Sequence, residues 1–283
     1  MPELPEVETI VRQLSSCVVG QQISQVVVKW PASVATHSPA ALAAALVGRT
    51  ITAVARRGKF ILLTVPPHTM LVHLRMTGRL LACDKSDDAS AADPHVHVYW
   101  ELASGDTLFF RDIRKFGRVY LAQSPEQVLG DLGPEPLDDA LTPEGFAAAL
   151  HSRRRQIKPL LLDQRFVAGL GNIYVDETLW RTGIHPTTPS DSLSSEQAAS
   201  LLAAMRSTLT EAIRDGGTTL RDYRNALNAE GQHGPALAAY GRTGQPCLRC
   251  GQPIERLVVG SRGTHICPRC QVPPTNGESS HDD

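Results

Sequence analysis

Four cysteines near the end of the chain constrain its fold most: Cys247-x2-Cys250, then sixteen residues, then Cys267-x2-Cys270. Each pair can place two thiolates on one turn, and two such turns joined as a hairpin close a tetrahedral Zn2+ site. Four protein ligands leave no open coordination position, so a metal held this way shapes the chain rather than activating water. The hairpin lies within residues 240–270, which hold Arg242, Arg249, Arg256, Arg262 and Arg269 against Glu255 alone. That makes it a candidate DNA-binding finger. Cys17 and Cys83 stand apart and read as buried or free thiols.

The chain of 283 residues suggests about two domains. Its hydrophobic fraction of 42% and charged fraction of 20% are those of a globular protein. No apolar run approaches the roughly 18 residues of a membrane span. The acidic, amphipathic start does not read as a signal peptide, so a cytoplasmic protein is expected. A net charge of −1 gives no overall attraction to nucleic acid. Two further basic clusters, Arg111-Arg114-Lys115-Arg118 and Arg153-Arg154-Arg155-Lys158, could hold a polyanion if folding brings them to one face; taken singly, each reads as solvated surface.

Along the chain, an amphipathic first helix is expected from Val7, Ile10, Val11 and Leu14 at helical spacing, with Pro5 and Glu6 suited to its first turn. Residues 22–30, 50–65, 70–83, 95–101, 106–111 and 117–122 are short β-branched or aromatic runs separated by turn formers, the pattern of an antiparallel sandwich or barrel. An alanine- and leucine-rich second helix is expected over 39–47, an exposed loop over 84–94 and a Pro/Gly-punctuated linker over 124–136. Helical patterns follow at 142–151, 157–163, 172–181 and 194–215, the last opened by a capping box of Ser194 and Gln197 and carrying Leu202, Met205, Leu209 and Ile213 on one face. Residues 218–238 are polar and aperiodic, and the sequence predicts a mobile loop there. The tail 272–283 is expected to be disordered.

Chemistry enters at the start, Met1-Pro2-Glu3-Leu4-Pro5-Glu6. Loss of Met1 would leave a secondary amine, with a reference pKa of about 7.7 to 8.0 for such a terminus, able to form an iminium with a sugar aldehyde. Glu3 and Glu6 could move protons. Taken alone, the same residues fit a plain helix lead-in better. Gly169-Leu170-Gly171-Asn172 reads either as an interhelical turn or as backbone amides and Asn172 offered to one phosphate at a helix start. In residues 73–78 and 112–117, Met76 and Phe116 are either core residues or the apolar fillers that a base-flipping enzyme needs.

Taken together, the blocks PELPEVE (2–8), RRGKF (56–60), HLRMTG (73–78), DIRKFG (112–117), GLGNIYVDE (169–177), YGRTGQPC (240–247) and the four-cysteine finger closely resemble the formamidopyrimidine-DNA glycosylase family, over residues 2–271. The resemblance implies an α+β fold: an N-terminal antiparallel β-sandwich flanked by helices (2–123), the linker (124–136), a helix-two-turns-helix DNA-binding domain with a lesion-capping loop (137–238), a zinc finger (239–271) and the tail. It implies removal of 8-oxoguanine and ring-opened purines from double-stranded DNA, with one structural Zn2+ on Cys247, Cys250, Cys267 and Cys270 and a monomeric protein. Pro2 would attack C1′ of the damaged nucleoside, Glu3 would give and take protons with Glu6 in support, Lys59 would assist β-elimination, and Arg262 δ-elimination. His73, His95, Arg114, Arg153, Asn172 and Tyr240 would hold the DNA. Met76, Arg114 and Phe116 would fill the gap left by the lesion, with Arg114 facing the orphaned cytosine. One departure is Ile113-Arg114-Lys115 in place of the commoner Pro-Arg-Arg.

Two alternatives remain at this stage. Endonuclease VIII-like enzymes, which prefer oxidised pyrimidines, usually begin Pro-Glu-Gly-Pro-Glu, and Leu4 argues against them. A non-catalytic zinc-finger DNA-binding protein would need none of Pro2, Glu3 or Lys59.

Overall fold

The computed structural model describes residues 1–83 and 92–274, so most of the expected 84–94 loop, most of the 272–283 tail and the side chain of Cys83 lie outside the described residues. The chain forms two compact units, Met1–Leu132 with Leu209–Pro235, and Gly133–Thr208 with everything from Ala236.

In the first unit, α1 (Leu4–Val18) starts at Glu3, where a capping box with Glu6 satisfies amides that a helix start leaves without partners. Its stripe of Val7, Ile10, Val11 and Leu14 is buried as its spacing predicts. Two four-stranded antiparallel sheets follow. One runs in the order β1 (Ile23–Val28), β6 (Val96–Leu102), β7 (Thr107–Asp112), β5 (Gly78–Cys83). The other runs β2 (Ala53–Arg57), β3 (Phe60–Val65), β4 (His68–His73), β8 (Arg118–Ala122). A single core joins them: Ile61, Leu63, Met70 and Val72 from one, Leu80, Val98, Trp100 and Phe110 from the other, with α1 and Leu42 and Leu46 of α2 (Pro39–Leu46). Each such apolar side chain contributes about 1.5–3 kcal/mol when fully buried. The β-branched and aromatic runs mark where strands form, but the run over 50–65 holds both β2 and β3, and that over 70–83 most of β4 and all of β5.

The expected linker is not wholly irregular, since α3 (Glu126–Leu129) forms within it. In the second unit, α4 (Pro143–His151), α5 (Ile157–Leu162) and α6 (Asn172–Thr182) precede the long α7 (Ser195–Arg214), which continues into the first unit. The expected box at its start forms: Ser194 N donates to Gln197 Oε1 (2.9 Å) and Gln197 N to Ser194 Oγ (3.1 Å). The finger hairpin is β9 (Glu255–Val259) paired with β10 (Arg262–Ile266). Its two-residue turn has Gly260 at φ 55° and Ser261 at φ 62°, the double left-handed geometry that matches strand twist. No helix among the described residues is long and apolar enough to cross a membrane.

Candidate active site and nucleic-acid interface

Pro2 and Glu3 are buried at the head of α1. Glu6, 1% exposed, lies at the centre of this region. One carboxylate oxygen accepts from Glu3 N and the other from Thr218 N, both at 2.8 Å. A single buried carboxylate therefore ties the start of the chain to residues 216–233. Tyr223 of that segment donates its hydroxyl to Glu6 O (3.3 Å) and Gly216 O (3.2 Å), and burial, with Glu6 nearby, pushes its phenol pKa up. Gln13 Oε1 accepts from Ala226 N at 2.9 Å, and Ala82 N donates to Ala226 O at 3.0 Å. Gly231 admits no side chain, because a Cβ there would lie 2.2 Å from Gly217 O. Leu220 and Leu227 remain 49% and 59% exposed on the same segment.

Lys59 sits in the two-residue turn between β2 and β3, where Gly58 takes φ 55°. The hairpin is fixed by Arg56 donating to Glu8 of α1 at 2.9 Å and by Arg57 donating to Leu132 O at 3.1 Å. Lys59 itself is 6% exposed. His73, at the end of β4, packs edge-on to Phe60 at 4.6 Å between ring centroids. Burial, then the charges of Arg75 and Lys59, hold the His73 pKa down at about 3. Its Nδ1 accepts from Arg75 N at 3.0 Å, which leaves the proton of the neutral ring on Nε2 as a donor.

Two turns leave this unit side by side. In each, a basic residue with left-handed backbone, Arg75 (φ 54°) or Lys115 (φ 59°), stands immediately before an apolar residue. Met76 is 40% exposed and Phe116 47%, so the reading of both as core residues is overturned. Asp112 joins the turns: its carboxylate accepts from Thr77 Oγ1 (2.5 Å), Arg114 N (3.2 Å) and Gly117 N (2.7 Å). The Arg114 guanidinium stacks 4.7 Å from the Phe116 ring. His95 is half-buried, and its carbonyl accepts from Asp112 N at 2.9 Å.

In the second unit, Asn172 opens α6, with Nδ2 donating 2.8 Å to Gly263 O and Oδ1 buried without a hydrogen-bond partner. Gly263 follows Arg262, which is exposed at the start of β10, so the fold brings Asn172 and Arg262 together. Beneath them Asp176 accepts from Lys158 Nζ (2.6 Å) and His265 N (2.9 Å), while Glu177 accepts from the backbone amides of Ala238, Ala239 and Tyr240 at 2.7–2.9 Å. The Tyr240 ring stands 4.8 Å from that of His265. Arg153 is exposed at the end of α4, 5.1 Å above the Phe166 ring.

Lys158 corrects the sequence reading. Counted there with a surface basic cluster, it is 0% exposed and paired with Asp176, because an amine buried at this depth requires a carboxylate partner. Arg111 likewise pairs with Asp93 at 2.5 Å. Asp176, Glu177 and Asp112 were within quoted motifs but received no role. Their signal is a carboxylate inside an otherwise apolar or glycine-bearing motif. Tyr223 carried no such signal.

The four finger sulfurs lie within 4.8 Å of one another, with Cys250 and Cys267 at 3.4 Å and Cys247 and Cys270 at 4.0 Å. Tetrahedral zinc with bonds of about 2.3 Å separates its sulfurs by roughly 3.8 Å, so the donor set fits one structural zinc. Burial pushes the Cys247 thiol up, but the amides of Arg249 and Cys250 and the Trp180 indole bring it down to about 6. Burial and the neighbouring sulfurs push Cys270 up to about 12. Trp180 Nε1 donates to Cys247 Sγ at 3.4 Å, and the Arg249 guanidinium lies 4.4 Å from the Trp180 ring. Cys17 is a free, half-buried thiol.

Apolar side chains held out on strained turns suit an enzyme that takes a nucleotide out of the duplex and fills the space it leaves; the class is that of base-flipping DNA enzymes. Comparison with known proteins gives the family. Residues 1–119 match the formamidopyrimidine-DNA glycosylase N-terminal domain, 132–224 its H2TH domain and 244–272 the zinc finger found in FPG and IleRS. A formamidopyrimidine-DNA glycosylase of Herpetosiphon aurantiacus is 47% identical over 276 residues, 96% of this chain and 100% of that one. A Lactococcus lactis FPG variant in complex with Fapy-dG-containing DNA superposes with a TM-score of 0.88 at 37% identity, covering 96% of this chain and 100% of that one. MutM in complex with carbocyclic 8-oxo-G-containing DNA gives 0.88 at 36% identity over the same shares. The chain belongs to the formamidopyrimidine-DNA glycosylase family: it is a base-excision repair glycosylase of oxidised purines with the abasic-site lyase activity of that family.

Proposed function

We propose that removal of Met1 frees the Pro2 amine, which attacks C1′ of a damaged purine nucleoside as the base leaves. Glu3 gives and takes the protons of this step, and the sugar opens to an iminium on Pro2. Abstraction of a sugar proton then expels the 3′ phosphate by β-elimination, which Lys59 assists, and the 5′ phosphate follows by δ-elimination, which Arg262 assists. 8-Oxoguanine and formamidopyrimidines opposite cytosine are the substrates. The observation that carries this reading is the Glu6 carboxylate, which fixes Glu3 N and Thr218 N at 2.8 Å each and so couples the chain start to residues 216–233. The loop within residues 218–238 caps the extruded base.

His73, His95, Arg153, Asn172, Tyr240 and Arg262 grip the DNA backbone, with Asn172 and Arg262 aimed by their shared neighbour Gly263. Met76 and Phe116 fill the vacated stack. Arg114 donates to O2 and N3 of the orphaned cytosine; adenine would meet it with an amino donor beside N1. The protein acts as a monomer on double-stranded DNA in the bacterial cytoplasm, with residues 2–123 and 137–238 as the catalytic and DNA-binding domains, 124–136 as their linker, 239–271 as the finger and 272–283 as an extension.

The test is borohydride trapping on an 8-oxoguanine duplex. The processed protein should give a covalent adduct, Pro2→Gly a weaker one, and a protein with an added residue blocking the amine none. Undiminished trapping by the blocked protein would remove Pro2 from the mechanism.

A further inference from the structure

Residues 112–117 cross from β7 in one sheet to β8 in the other, and they carry Arg114 and Phe116. Carboxylate hydrogen bonds from Asp112 fix the turn on one side. The other side rests on Trp30, which ends the segment after β1 and takes no part in the shared core. Lys115 Nζ lies 5.3 Å and Arg118 Cζ 5.6 Å from the centre of its ring, both within cation–π range. The His97 ring packs 5.3 Å away at 57°, and His97, 2% exposed, places Nε2 2.7 Å from Asp112 O, where it donates. Arg118 NH1 donates to the carbonyls of Lys115 and Gly117 at 2.8 Å each.

Trp30 is itself fixed to both sheets. Its amide donates to His97 O at 3.3 Å, and the chain beyond it reaches β8, where Ala35 N donates to Val119 O at 2.9 Å. The ring therefore stands at the crossover it supports. Lys115 holds φ 59°, a conformation that side-chain-bearing residues visit rarely. Its ammonium, drawn onto the indole, gives the turn a reason to stay there.

We propose that Trp30 is a positioning residue for opposite-base recognition: through Lys115, Arg118 and His97 it sets the direction in which residues 112–117 present Arg114. The inference rests on the reading of Arg114 as the contact to the orphaned base. Trp30 touches no DNA in this role. Hydrogen bonds weaken steeply as they bend, so a loosened turn loses discrimination between cytosine and adenine before it loses affinity for duplex DNA.

The experiment is kcat/KM on 8-oxoguanine opposite cytosine and opposite adenine, at fixed salt, for wild type, Trp30→Ala, Trp30→Phe and Arg114→Ala, with affinity for undamaged duplex measured alongside. Losing two cation–π contacts should lower the cytosine-to-adenine ratio of Trp30→Ala by about threefold to tenfold. The loss should fall on excision opposite cytosine, with undamaged-duplex affinity within about twofold of wild type. Trp30→Phe, which keeps a ring face, should restore most of the ratio. If Arg114→Ala collapses the ratio while Trp30→Ala keeps it, the brace is overturned and Arg114 stands. If Arg114→Ala also keeps it, the reading of Arg114 has failed and the brace with it. Should Trp30→Ala not fold, Lys115→Met removes one cation and leaves the ring; a lowered ratio supports the proposal and a wild-type ratio overturns it.

Discussion

The first unit holds its functional side chains on a broad apolar core, and polar contacts only aim them. Lys59, His73, Met76 and Arg114 all stand at the ends of strands whose opposite faces pack into one cluster shared by both sheets and α1. The finger has far less to pack. Its apolar cluster is Trp180, Ala238, Ala239 and Ile254 with the buried cysteines, and it depends instead on metal ligation and on the buried carboxylates Asp176 and Glu177, which accept from four backbone amides. In the proposed mechanism, catalytic positioning would thus draw on non-directional burial, and the phosphate grip on charge and coordination. The two should fail differently.

The sharpest division is expected from Cys250→Ser or zinc chelation. Structural zinc is worth about 10–16 kcal/mol in small fingers, so affinity for damaged duplex should fall by at least about a hundredfold. Amide-exchange protection of the strands from β1 to β8 should stay as in wild type; loss of protection there would show that the units are not independent in stability. Elemental analysis should find one zinc per chain in the active protein and none in the variant.

Asp176→Asn leaves Lys158 charged and without its carboxylate in a site where both side chains are 0% exposed. A loss of about 3–5 kcal/mol is expected on denaturant unfolding, with weakened DNA affinity because the His265 amide loses its carboxylate acceptor and Lys158, which donates to Gly263 O at 3.2 Å, loses the partner that positions it. Replacing the pair together, Lys158→Met with Asp176→Leu, should recover most of the stability. A stable single variant would show that the pair adds little to the grip.

A smaller, more selective effect is expected in the first unit. Glu6→Gln keeps one acceptor and turns an amide donor toward either Glu3 N or Thr218 N. A hydrogen bond to a charged group is worth about 1.5–3 kcal/mol, so single-turnover excision should slow roughly tenfold to a hundredfold. Undamaged-duplex affinity should be unchanged. Equal losses in both would mean that Glu6 is structural only.

His73 gives the smallest effect, and its sign is fixed. Its folded pKa of about 3 lies below the ordinary value of 6.5, burial being the main cause. The unfolded chain therefore takes up a proton that the folded chain refuses, and stability falls as pH drops from about 6.5 toward 3. Relative to His73→Gln, wild type should lose more Tm between pH 7 and pH 5. The effect of His73→Gln on DNA affinity should be flat above pH 6.5, since the ring is neutral there; a change with pH in that range would contradict the buried, neutral assignment.

Much of this was legible in the residues. The cysteine spacing marked the finger, the stripe of Val7, Ile10, Val11 and Leu14 marked α1, and β-branched and aromatic runs marked the sheet regions, because each is a local pattern tied to a local geometry; the split of 50–65 and 70–83 into two strands each came only with the fold. Lys158 was misread for the same reason: a lysine beside three arginines looks like surface when its partner, Asp176, lies eighteen residues away. Met76 and Phe116 could have been core or wedge, and only the left-handed residues before them, with their exposure, decided it.

By itself the sequence determined which chemistry is available: an amine behind Met1, carboxylates at Glu3 and Glu6, four thiolates and a set of arginines. Tertiary structure alone decided which groups meet. Glu6 reaches Thr218 across 212 positions of sequence, Thr77 reaches Asp112 across 35, and residues 209–235 join the N-terminal unit rather than the helices that precede them. The physical reason is that burial is collective. A buried carboxylate must find donors wherever the core brings them, and no periodicity along the chain records where that will be.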